Sequence, residues 1–228
     1  MHTSQGFSLI ELVAVIVIVG ILATMTTSII TLPVNSYLDL QRRTTLVDTA
    51  ELTLRRMQRD IRRALPNSVR ITGGGMVLEL LHIADAGRYR AQLHPTATTS
   101  AGCGSVATDV LDFTIADTCF EVTGNLTVFN PLATAGESLV IYNLGSGTAD
   151  AYAGNNRTAV VNSGDARVVS FNARQFPFSS PQQRFFIVDT PITYRCNNNQ
   201  LLRYSGYAIT AAQANPPVGV TGQIQANK

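Results

Sequence analysis

Residues 7–30 form an apolar run interrupted by one charged side chain, Glu11. As a helix this run reaches about 36 Å at 1.5 Å per residue, enough to cross a hydrocarbon core of about 30 Å. Valine and isoleucine fill its middle, yet a lone strand is excluded. In lipid so long a stretch satisfies its backbone only as a helix or inside a closed barrel. A cleaved secretory signal would show a basic leader, a shorter apolar stretch and a small-residue site after it. Here the run is longer, and ILATMTTS offers no strong site of that kind. The break lies on the other side, where a polar leader, MHTSQG, ends in Gly6 directly before Phe7.

Glu11 is the residue that needs a reason. A carboxylate inside a membrane helix is costly, and such residues usually carry a function. It lies one helical turn from Phe7. Cutting the chain between Gly6 and Phe7 would create an α-amine that is cationic near neutral pH. Glu11 of one copy could then pair with the Phe7 amine of another. An unpaired charge is disfavoured in lipid, so such a pair would drive docking and fix the axial register. The plain alternative is a carboxylate near the membrane edge, protonated or hydrated. Position alone does not separate the two.

The heptapeptide Gly6-Phe7-Ser8-Leu9-Ile10-Glu11-Leu12 resembles the class III leader and cleavage site of type IV pilins and type II secretion pseudopilins. The resemblance implies cleavage after Gly6 by a prepilin peptidase, N-methylation of Phe7, and an assembly and register role for Glu11. It implies as partners that peptidase, other minor and major pilins, an inner-membrane assembly platform and the lipid bilayer. It places the chain as a single pass in the inner membrane with its head in the periplasm, and in a pilus after assembly. One departure stands out: the leader has no Lys or Arg, only His2 and its amino terminus.

Beyond the span, Pro33 is expected to kink the helix, which resumes near Asn35 or Ser36. Leu46, Ala50, Leu54, Met57, Ile61 and Leu65 recur at helical spacing and predict an amphipathic continuation with that stripe inward. Glu51 and Arg55 make a favourable i, i+4 pair. Of the 17 lysines and arginines, seven are arginines between Arg42 and Arg63, read as a solvated face. Pro66 and Asn67 end the helix.

After Pro66 the period changes. Short runs rich in Val, Ile, Phe and Tyr alternate with Gly, Asn, Pro and Ser. They predict strands at Val69–Thr72, Met76–Ile83, Tyr89–His94, Val110–Ile115, Leu126–Phe129 and Leu139–Asn143. Further strands are predicted at Thr158–Val161, Arg167–Phe171, Arg184–Asp189, Ile192–Cys196 and Leu201–Tyr204. Gly73-Gly74-Gly75 suits a turn; residues 95–108, 145–157 and 172–182 read as loops. The expected class is α+β: a long kinked N-terminal helix, its first half transmembrane, packed on an antiparallel β-rich head, as in pilins. The expected parts are a leader at 1–6, a transmembrane helix at 7–32, an amphipathic continuation at 33–66 and the head at 67–228.

Cys103 and Cys119 could close a disulfide loop in an oxidising compartment, a gain of about 3 kcal/mol; two free thiols are the alternative. The tail from Gln223 is expected to contain no closing strand. In larger minor pilins, Tyr194-Arg-Cys, Leu202-Arg-Tyr and the Pro-Pro-x-Gly loop are followed by more strands and another cysteine. By that resemblance the chain is expected to lack its C-terminal strands, leaving Cys196 without a partner. Gly136-Glu-Ser-Leu-Val-Ile-Tyr-Asn and Phe185-Phe-Ile-Val-Asp-Thr-Pro-Ile-Thr-Tyr-Arg-Cys resemble the MshO family of minor pilins of the mannose-sensitive haemagglutinin pilus, related to the J-type pseudopilins and the PilW minor pilins.

No enzymatic constellation is visible. His2, His82 and His94 show no nucleophile–base spacing, and His82 reads as a hydrogen-bonded structural histidine. The triple glycine lacks the Lys-Ser/Thr of a phosphate loop. Asp109, Asp112 and Asp117 lack calcium-loop spacing and read as a solvated strand edge. No metal or cofactor is expected, and a net charge of +2 gives no case for nucleic acid. What the resemblance implies is a minor pilin or pseudopilin acting at or near a fibre tip. The alternative is an adhesin or ligand-binding head on a permanent anchor.

Overall fold

The computed structural model describes residues 6–93 and 109–227. The chain divides into two compact units, Met1–Leu52 and Thr53–Lys228. One helix, α1, runs Leu9–Arg62 and supplies both. It passes Pro33 without a break, so no new helix starts at Asn35. Proline has no N–H, so the carbonyl one turn before it, that of Ile29, has no i+4 donor.

In the first unit every described side chain from Gly6 to Asp48 is exposed. Leu9–Thr26 is long and apolar enough to cross a membrane, and none of it is buried. Two of its hydroxyls are satisfied within the helix. Thr24 donates to the Ile21 carbonyl at 2.8 Å and Thr26 to that of Leu22 at 2.7 Å. Such back-bonding leaves the outer surface compatible with lipid.

Among the described residues the second unit holds nine strands, all pairs antiparallel. They are β1 (Arg70–Thr72), β2 (Val77–Arg88), β3 (Asp117–Glu121), β4 (Ser138–Ile141), β5 (Arg157–Val161), β6 (Val168–Arg174), β7 (Arg184–Asn197), β8 (Gln200–Ser205) and β9 (Gln223–Asn227). The order is β1-β2-β7-β4-β5-β6-β3, with β8 on the far half of β7 and β9 beyond it. The Tyr89–Val122 bridge joins the end of β2 to that of β3 and closes the path into a small barrel. Alternate residues point inward. Leu139 and Ile141, Phe185 and Ile187, Val169 and Phe171, and Phe120 with Tyr89 fill the interior. Phe120 and Phe185 meet at 5.0 Å between ring centroids. Gly87 lacks a side chain for a steric reason: a Cβ there would lie 2.8 Å from the Phe185 ring.

β7 merges two predicted strands. Residues 185–188 pair with β4 and residues 192–197 with β8. Pro191 sits between these stretches, where a missing N–H is tolerated. The far half of β7 also backs onto the end of α1, where Met57 and Ala64 pack on Leu80, Ile192 and Tyr194. Gly73–Gly75 forms a 3-10 turn between β1 and β2 with φ of 60°, 65° and 92°, a conformation open to glycine.

Several expectations are corrected. On α1 the buried positions are Thr53 and Asp60, flanked by half-buried Met57 and Ala64; Leu54 is 64% exposed and Ile61 41%. The period was right and the face in part: Met57 packs inward and Leu65, just past α1, is buried as expected, while Thr53 and Asp60 take the places expected for Leu54 and Ile61 because their polar partners lie inside. Val110–Ile115 and Leu126–Phe129 are not strands. Asp109 is buried rather than on a solvated edge. Asp117 Oδ2 accepts the Asp112 N–H, and Asp112 accepts the Thr114 N–H, so these acids build a loop. Tyr89 is a bridge and not a strand start, and His94 lies outside the described residues with the predicted loop at 95–108. Gln223–Asn227 is a strand on β8, contrary to the expected unpaired tail.

Candidate processing and assembly site

Gly6, Phe7 and Ser8 are non-helical and exposed, immediately before α1. Phe7 is 80% exposed. A peptidase needs an accessible backbone that is not tied into a helix, and the Gly6–Phe7 bond meets that requirement. Ser8 begins the helix: its carbonyl accepts the N–H of Glu11 at 3.0 Å and of Leu12 at 3.2 Å. Ser8-Leu9-Ile10-Glu11 has the spacing of a capping box, a signal the sequence reading passed over. Glu11 sits in the first turn of α1. There a carboxylate is favoured by the positive end of the helix dipole even before any partner docks. The leader before Gly6 lies outside the described residues.

Phe7 and Glu11 lie one turn apart at the start of the exposed apolar helix. A cut at Gly6 would leave a cation four residues before an anion, next to an uncharged surface. In a medium that solvates ions poorly, each favours an opposite charge on another chain.

Residues 1–27 match the prokaryotic N-terminal methylation motif. This is the prepilin signal of type IV pilin-like proteins, and it implies processing by a prepilin peptidase and association with pilins. With the apolar helix it fits a single-pass inner-membrane anchor. No curated protein and no solved structure matches the chain.

The other sequence candidates are dispersed. Pro33 lies inside α1. Cys119 is on β3 and disulfide-bonded, Cys196 is free and exposed, and Cys103 lies outside the described residues. His82 Nδ1 lies 2.8 Å from Asp189 Oδ1 across the β2–β7 ladder. Burial pushes the Asp189 carboxyl up, but the His82 contact and backbone N–H groups outweigh it and hold it below its ordinary value. Among the described residues no three His, Cys, Asp or Glu side chains converge as metal ligands would.

The acids that organise the head were missed. Asp60 Oδ2 accepts the Tyr194 hydroxyl at 2.7 Å and Arg203 Nε at 2.8 Å. Burial first, then the Asp60 bond, pushes the Tyr194 phenol up to about 12. Thr53 donates to the Gln225 carbonyl at 2.9 Å, tying α1 to β9. Glu79, fully buried, is held by Arg70 at 2.7 Å and by the Tyr207 hydroxyl at 2.9 Å. Asp85 Oδ2 receives the N–H groups of Thr127, Val128 and Phe129 at 2.8, 2.7 and 3.0 Å. Three successive N–H groups on one oxygen form a nest. That geometry is incompatible with a strand at 126–129. It also seats Phe129 in the barrel core.

Proposed function

We propose that this chain is a minor type IV pilin or pseudopilin. It is cut between Gly6 and Phe7, methylated on the Phe7 amine and incorporated at or near the tip of an MSHA-type pilus, where it primes or supports assembly. The coincidence of the methylation motif with an exposed, non-helical Gly6–Phe7 bond at the mouth of an unburied apolar helix carries this reading. The head sits on the periplasmic side, where a disulfide at Cys119 is chemically at home. Resemblance of the head to the MshO family supports the minor role and the choice of pilus. Catalysis has no part in the proposal: the work is association through the helix, with Glu11 setting register against a neighbouring Phe7 amine.

The test is the N-terminal sequence of the membrane-bound protein from cells that carry a prepilin peptidase. A chain beginning at methylated Phe7 supports the proposal. A chain still beginning at Met1 refutes it and leaves a permanent anchor bearing a ligand-binding head.

A further inference from the structure

On the outer face of the barrel, β2 and β7 place Arg88 directly opposite Arg184. Both are exposed, and neither side chain has an acidic or hydrogen-bonding partner among the described residues. Like charges opposed across a ladder are destabilising. Three other arginines of this head face carboxylates: Arg70 with Glu79, Arg90 with Glu121, and Arg203 with Asp60. Among the described residues the Arg88–Arg184 pair is a positive spot with no carboxylate against it.

Arg184 also lines a pocket of about 320 Å³ with Asn67, Tyr142, Gln182 and Phe186. That volume is at the lower end of the range for small-molecule sites. Its rim is fixed before any ligand arrives. Asn67 Nδ2 donates to the Asn143 carbonyl at 3.0 Å, and Asn143 Nδ2 donates to the Pro66 carbonyl at 2.8 Å, so two turns clamp each other. Ser180 Oγ accepts the Arg184 N–H at 3.0 Å and ties down the third turn. Of the four non-glycine residues with positive φ, Asn67 (60°) and Tyr142 (46°) line the pocket, and Gln183 (57°) joins two residues that do. Strained backbone of this kind collects at ligand clamps. Three lining side chains make no hydrogen bond among the described residues: the Tyr142 hydroxyl, the Gln182 amide and the Arg184 guanidinium. Tyr142 and Phe186 add two partly exposed rings.

We propose that this pocket binds an acidic saccharide, a sugar residue bearing a carboxylate. The Arg184 guanidinium takes the carboxylate, with the charge of Arg88 beside it on the ladder rather than on the pocket wall; the rings take the apolar C–H face of the sugar, and the amide and phenol take its hydroxyls. A bare anion would leave the rings unused, and a neutral sugar would leave the arginines opposed. The proposal is independent of processing at Phe7, since it concerns the head of the unassembled chain.

The probe is D-glucuronate, titrated against the full chain in detergent micelles by ligand-observed NMR, with D-glucose and inorganic phosphate as comparators. The expected order is glucuronate above both. Arg184→Gln and Arg88→Gln should each weaken glucuronate binding by about tenfold. Arg167→Gln, on an exposed arginine outside the pocket, should leave it unchanged. Tyr142→Ala should weaken it as well. Near-UV circular dichroism checks that each variant is folded, and Tyr142→Leu replaces Tyr142→Ala if the latter is not. Equal binding of glucose and glucuronate overturns the proposal, as does binding that survives both arginine changes. Phosphate binding as well as glucuronate, with no effect at Tyr142, would mean an anion site only and would equally overturn the saccharide assignment.

Discussion

Replacing Asp85 with asparagine tests the nest most directly. Asp85 is 9% exposed, and its carboxylate receives four backbone N–H groups: those of Thr127, Val128 and Phe129 on one oxygen and that of Ala86 at 2.8 Å on the other. A hydrogen bond to a charged group contributes about 1.5–3 kcal/mol, roughly twice a neutral one. Asn keeps the volume and one acceptor oxygen but removes the charge. Losing about 1 kcal/mol on each of the three clustered bonds predicts a cost of about 2–3 kcal/mol for D85N. Urea unfolding of the full chain in detergent, followed by near-UV circular dichroism of its tyrosines, reads this directly, since the chain has no tryptophan. The pH dependence supplies a second check. Burial pushes the Asp85 carboxyl up, but the N–H groups of Val128, Phe129, Ala86 and Thr127 outweigh it and hold it below its ordinary value. A carboxyl lowered on folding contributes stability that is complete above its unfolded pKa, about 3.9. That contribution is lost as pH falls through the folded value. The gap between wild type and D85N should therefore be full at pH 7 and shrink below about pH 4. A gap under about 0.5 kcal/mol at pH 7, or one unchanged at pH 3, would refute the charged nest.

Glu11→Ala should abolish incorporation into fibres while the head stays folded; normal assembly, scored by immunogold labelling of sheared pili, would sink the register role. Gly6→Glu should block processing, and an unchanged mature N-terminus by mass spectrometry would mean that the cut lies elsewhere. Asp60→Ala strips Tyr194 and Arg203 of their shared acceptor and should cost about 3 kcal/mol. Hydrogen exchange should then rise at residues 57–62 and stay unchanged at Phe185–Val188, and a uniform rise would show that the contact is not local.

What could be read without coordinates followed the reach of each signal. The apolar run and the methylation motif before it are contiguous in sequence, so α1 and the prepilin-type signal at its start were legible. Strands such as Leu139–Asn143 and Leu201–Tyr204 came through because alternation is local. The face of the helix came through at Met57 and Leu65 but not at Leu54 and Ile61, because Thr53 and Asp60 are chosen by Gln225, Tyr194 and Arg203, which lie far off in sequence. Leu126–Phe129 looks like a strand by composition, yet its N–H groups are captured by a carboxylate on β2. Nothing in the order of residues marks Arg88 and Arg184 as neighbours; only the β2–β7 register does.

That same register has a kinetic consequence. β2 is made early in the chain, yet its longest partner is β7, so Val77 waits for Arg195 and Arg88 for Arg184. Pairings this remote in sequence slow folding and leave strand edges open meanwhile. A chain released progressively from its N-terminus would hold β1 and β2 without their mate until most of the head had followed. Holding chaperones would then act on the early part of the chain, and a stalled or shortened product would be an aggregation hazard rather than a half-formed head.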